Sequence, residues 1–75
     1  MREKDHTKFK DLAIKRVNSA LKAIGLIGNL SNRSNYDYTD EDVEKIFRAL
    51  ADEIKECRQR FEFAKKTKDR ENFTL

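Results

Sequence analysis

Seventy-five residues carry 17 Lys+Arg against 14 Asp+Glu, a formal net charge of +3, with 41% of the chain charged and 37% hydrophobic. One Cys excludes an internal disulfide, one Cys and one His do not make a zinc site, and no apolar stretch reaches the roughly 18 residues of a membrane span. Two Gly, no Pro and abundant Lys, Glu, Arg and Ala favour helix. A chain this short buries a modest core, so the expectation is a single small helical domain over 1–75 that gains stability from good helix packing or a second copy. The start, Met1 to His6, leads into no apolar signal core, which points to a cytoplasmic protein.

A first helix is predicted from about Asp5 to about Gly28. Ala13, Val17, Ala20, Ile24 and Ile27 recur at steps of four and three, and Ile14 and Leu21 widen that seam. A stripe this broad calls for more than one neighbouring helix. Lys8, Lys15, Asn18 and Lys22 take the opposite face. Gly28-Asn29 reads as the stop, since glycine takes a left-handed cap at little steric cost; Leu30 would carry the helix one turn further. Gly25 lies inside the pattern and costs about 1 kcal/mol relative to Ala. Its presence implies a close backbone neighbour or a frayed end.

The connection, Leu30 to Tyr38, is rich in Asn and Ser, which bond to nearby backbone and favour turns. It is longer than most helix–helix connections. Asn32, Arg33, Ser34, Asn35, Tyr36 and Tyr38 make it the leading candidate for a protein-binding loop, because Arg and Tyr are enriched at binding hot spots and function often rides on loops. The competing reading is that the tyrosines cover the end of the core and the polar residues satisfy turn geometry. Asn35, Asp37, Thr39 and Glu41 alternate like half of an EF-hand loop, but Asp40 stands where glycine is needed and Ile46 where the closing glutamate is needed.

The second helix announces its start. Thr39 caps the free amides, Asp42 returns the bond three residues later, Tyr38 and Val43 are placed as a hydrophobic staple, and Asp40, Glu41 and Asp42 fill the first turn. Val43, Phe47, Leu50, Ile54, Cys57, Phe61 and Ala64 then alternate steps of four and three, a heptad seam. Four acid-before-base pairs at i, i+4 (Glu41–Lys45, Glu44–Arg48, Glu56–Arg60, Glu62–Lys66) support it. The predicted span is 40–67, about 40 to 44 Å of helix. Cys57, on the seam, is expected to be a small buried hydrophobe. Residues 1–4 and 69–75 are expected to be mobile tails, Phe73 and Leu75 included.

The predicted architecture is all-α: an antiparallel helical hairpin that dimerises into a four-helix bundle. Val17, Ile24, Ile27, Phe47, Leu50, Ile54, Cys57 and Phe61 form its core or dimer seam. The heptad pattern alone suits parallel and antiparallel pairing equally.

Charge is zoned. Residues 1–29 hold seven basic and three acidic side chains, residues 30–54 three and seven, residues 55–75 seven and four. In a hairpin the two basic segments share one pole. That zoning suits helix ends and solubility, or head-to-tail pairing in a dimer, or phosphate contacts through Lys4, Lys8, Lys65, Lys66, Lys68 and Arg70. Sequence-reading motifs for nucleic acid are absent.

Catalysis finds little support. Ser31 and Ser34 have no base at a defensible spacing, there is no Gly-rich phosphate loop, and His6 sits among charges without a second ligand. No cofactor or metal is implied. The functional expectation is a non-enzymatic interaction module, a small adaptor, regulator or inhibitor that pairs with itself and docks on a larger protein through the 31–38 loop and its helix surfaces. The alternative is a small basic nucleic-acid-associated protein.

Overall fold

The computed structural model describes residues 5–71, with side chains over 5–65. Two α-helices and one short 3₁₀ turn account for its regular structure, and no strand occurs among the described residues. The chain divides into two units, Met1–Asp37 and Tyr38–Leu75.

In the first unit, α1 runs His6–Gly28. Its start is set by Asp5, whose carboxylate accepts the Lys8 amide at 3.0 Å while its carbonyl accepts the Phe9 amide at 3.1 Å. An aspartate in this place satisfies one of the orphan amides of the first turn and puts negative charge at the positive helix end. His6 and Phe9, one turn apart, lie with rings nearly parallel at 13° and centroids 6.3 Å apart.

The end of α1 differs from the expected left-handed cap. Gly28 has φ −59° and ψ −30°, Asn29 has φ −65° and ψ −18°, and no described residue takes a positive φ. The helix instead tightens into a 3₁₀ turn over Asn29–Ser31 before the backbone turns extended at Asn32, φ −70° and ψ 101°. The Asn29 amide faces the carbonyls of Gly25, Leu26 and Ile27, a shared geometry by which an α-helix passes into a tighter coil. Leu30 therefore does extend the coil, as the alternative stop implied. Gly25 is not a frayed end. The α-helix passes through it unbroken, and a Cβ built there finds no atom within 4 Å.

The second unit is dominated by α2, Asp40–Glu71, 32 residues and therefore about 48 Å long. It overruns the predicted end at residue 67, because nothing from Thr67 to Glu71 breaks a helix: there is neither Gly nor Pro, and Lys, Arg and Glu are good formers. The mobile tail expected over 69–75 therefore begins, at residues 69–71, as helix; residues 1–4 and 72–75, with Phe73 and Leu75, lie outside the described part.

No residue over 5–65 is buried. Leu12, Ala13, Ile27, Tyr38, Val43 and Leu50 are half-buried and every other one of these residues is exposed. Helix formation alone shields about this much, since a side chain leans over the turn before it.

Candidate interaction surface

The connection between the helices is organised by one side chain. Asn32 Oδ1 accepts the Ser34 amide at 3.0 Å and the Ser34 hydroxyl at 2.7 Å. The Asn32 carbonyl accepts the amides of Asn35 at 3.1 Å and Tyr36 at 3.0 Å. This is an Asx turn laid over a backbone turn, the device by which Asn competes with regular structure. Of the predicted loop residues, Asn32, Ser34 and Asn35 thus work for the turn itself, the second of the two readings the sequence allowed. Tyr36 is 49% exposed at the turn's exit, Arg33 is exposed on its crest, and Tyr38 is half-buried at the start of the second unit.

The predicted capping box is present in full. The Asp42 amide donates to Thr39 Oγ1 at 3.0 Å, and the Thr39 amide donates to Asp42 Oδ2 at 2.9 Å. The first α-helical bond, Val43 amide to Thr39 carbonyl, is 3.2 Å. Asp42 thus fills the place that Glu more usually takes in this motif. The two Thr39 bonds, backbone first and hydroxyl second, hold the Asp42 carboxyl below its ordinary range, with Lys45 adding to the effect. Tyr38 and Val43, the predicted staple residues, are both half-buried.

Outside the turn and the caps, the surface is apolar to an unusual degree. Thirteen large apolar side chains are exposed on the described chain, too many to be isolated surface residues. On α2 they follow the seam: Phe47 is 57% exposed, Ile54 and Phe61 60% each. Leu50 is half-buried, and Cys57 is exposed, not buried as its seam position suggested. A seam position buries a side chain only when something lies against the seam. On α1, Val17 and Ile24 are exposed with Ile14 and Leu21, and Ile27 is half-buried.

Sequence reasoning missed Phe63, the most exposed large apolar side chain at 68%. It lies off the seam. A lone aromatic outside the apolar stripe of a highly charged helix was the signal that would have flagged it. Phe9, Leu26 and Ile46 were assigned no role either; Phe9 and Ile46 border a seam without belonging to its strict repeat, and Leu26 lies on the lysine-bearing face of α1.

Of the six predicted phosphate contacts, Lys8 and Lys65 are exposed. Lys4, and the side chains of Lys66, Lys68 and Arg70, lie outside the described part. Among the described residues no cluster of His, Cys, Asp or Glu is arranged to hold a metal ion, and no helix is long and apolar enough to cross a membrane.

Comparison with known protein families, with curated proteins and with solved structures finds no match to this chain. The functional reading therefore rests on the chain's own chemistry.

Proposed function

We propose that the protein is a non-enzymatic interaction module of the cytoplasm, a small adaptor, regulator or inhibitor. In this reading its two helices fold back as a hairpin and two copies join in a four-helix bundle. The bundle docks on a larger protein through the 31–38 loop and the outer helix surfaces. The supporting observation is the combination of an unbroken heptad seam with its exposure: Phe47, Ile54 and Phe61 each show more than half their surface to solvent. Apolar area left in water costs about 25 cal/mol per Å², so a seam of this length is a binding surface in search of its cover. The absence of any nucleophile–base pair in the sequence favours binding over catalysis.

Within that reading the loop is the specific contact and the seam the assembly contact. The Asx turn fixes the backbone that presents Arg33 and Tyr36, so little ordering entropy is lost when a partner engages them. Capturing partners from a lysate on the wild-type protein and on a variant with Arg33→Ala and Tyr36→Ala tests the assignment. A partner lost by the variant at unchanged helicity supports it. A partner retained in full contradicts it.

The basic segments favour a second reading, phosphate contacts that include the exposed Lys8 and Lys65. Titration with duplex and single-stranded nucleic acid at two salt concentrations separates the two. The interaction-module reading expects no binding at physiological salt.

A further inference from the structure

Helix α2 is one uninterrupted α-helix from Asp40 to Glu71, so a single heptad register carries through its whole length. Phe47, Ile54 and Phe61 occupy a, and Val43, Leu50, Cys57 and Ala64 occupy d. The flanks follow from that frame. Glu44, Ala51, Arg58 and Lys65 fall at e, and Ile46, Glu53 and Arg60 at g. All seven are exposed, and on both flanks the acid precedes the base. Flanking charges are what set partner and orientation in paired helices.

We infer that α2 pairs with α2 of a second copy in the antiparallel sense, with the two-fold axis between residues 55 and 56. This rests on the reading above that a second copy covers the seam, and adds the orientation and register. In an antiparallel pair e faces e and g faces g. In this register Glu44 meets Lys65 of the partner subunit, and Glu53 meets Arg60 of the partner subunit. The two-fold axis repeats both, so four opposite-charge pairs form and no nearest neighbours share a sign.

The competing arrangements do worse. Sliding the pair by one heptad sets Glu53 against Glu53 of the partner subunit in one direction. In the other it sets Arg58 against Arg58 of the partner subunit and Arg60 against Arg60 of the partner subunit. Parallel pairing matches each g with the following e. Glu53 then gains Arg58 of the partner subunit, but Arg60 is forced against Lys65 of the partner subunit.

Core sizes agree with the charges. In the antiparallel register Phe47 packs across from Ala64 of the partner subunit, Ile54 from Cys57 of the partner subunit and Phe61 from Leu50 of the partner subunit. Each layer combines a larger with a smaller side chain, which keeps the helix separation even. Parallel pairing stacks Phe on Phe and Ala on Ala, giving wide and narrow layers along one interface.

The test has two parts, run beside a solution mass. The first is Lys65→Glu. The antiparallel register predicts a dimer weakened about tenfold, because two exposed ion pairs are replaced by two like-charge pairs. Adding Glu44→Lys restores it. Parallel pairing predicts the opposite sign for Lys65→Glu, since it relieves the clash with Arg60. The second part places spin labels at the outward f positions, as Lys45→Cys or Gln59→Cys in a Cys57→Ala background. The labels at 45 should be about 31 Å apart along the axis and those at 59 about 10 Å, from 1.5 Å per residue. A dimer with equal separations at the two sites, or one indifferent to Lys65→Glu, overturns the antiparallel register and leaves the self-pairing reading standing. A folded monomer at every concentration overturns both.

Discussion

The two helices are stabilised in different ways. α2 begins with a reciprocal Thr39–Asp42 cap and carries Asp40, Glu41 and Asp42 in its first turn. It contains no glycine over 32 residues. α1 begins with a single aspartate cap, has no acidic residue in its first turn and no basic residue in its last, and includes both glycines of the chain. Local terms favour α2 more than α1. α1 has a wider apolar stripe and weaker ends, so its helicity depends more on burial. Helices rarely persist in water on propensity alone, and the difference shows where coverage matters most.

Four changes probe that contrast, and the largest effect falls on the seam. Ile54→Asp places a charge in the central layer of the proposed α2 pairing. It should raise the dimer dissociation constant by at least about a hundredfold, the equivalent of about 3 kcal/mol. Analytical ultracentrifugation reads this directly. An unchanged constant would show that α2 is not the contact surface.

Next come the caps. Thr39→Ala removes a hydroxyl that accepts the Asp42 amide and should cost about 1 kcal/mol; Asp5→Ala should cost a similar amount at α1. The consequences should diverge. Hydrogen exchange should show local loss confined to the first turns of α2, but spreading along much of α1. Equal spread in both helices would erase the distinction drawn between them.

Gly25→Ala should stabilise α1 by about 1 kcal/mol or somewhat less, since the backbone is already helical and nothing lies where the Cβ would go. Thermal melting followed by circular dichroism measures it. A loss of stability would reveal a close neighbour at Gly25 in the assembled protein, the role its position inside the helical pattern first suggested.

The smallest effect is on acid stability. The Asp42 carboxyl is held below its ordinary value by the Thr39 bonds. A depressed carboxylate contributes stability above the unfolded-state pKa, about 3.9 for Asp, and that contribution disappears as pH falls through the lowered folded value. The start of α2 should therefore loosen only at strongly acidic pH, and Thr39→Ala should move the Asp42 titration part of the way upward, since alanine loses the hydroxyl but keeps the backbone amide that lowers it most. NMR titration of the side-chain carboxyl detects the shift; an unmoved titration would mean that the Thr39 hydroxyl adds nothing to the lowering and the backbone amide alone accounts for it.

What could be read in the sequence divides along the same line between local and non-local physics. The capping box was legible because Thr39 and Asp42 are three residues apart and need no other element. The α1 boundaries were legible from the seam and from Gly28. Its manner of ending was not, because a glycine permits a left-handed cap without requiring one, and the path into the Asn32 turn selects the 3₁₀ exit. The far end of α2 was not legible because no breaker marks it. Among the loop residues, Asn and Ser signalled a turn correctly, but only the hydrogen bonds show that Asn32 organises it, with Ser34 on its side chain and the Asn35 and Tyr36 amides on its carbonyl. The seam was plain. What lies against it was not, because apolar periodicity says that a face wants cover and leaves the cover unnamed. In the proposed self-pairing the flanking charges supply that information, and they become interpretable once α2 is known to be continuous through both halves of the charge pattern.

The central claim is that these exposed seams are assembly surfaces. Light scattering on a sizing column, over a concentration series spanning several decades, tests it most directly. The account predicts twice the chain mass of 8.9 kDa at high concentration, falling toward the single-chain value on dilution. A folded chain of single mass throughout the series would contradict it.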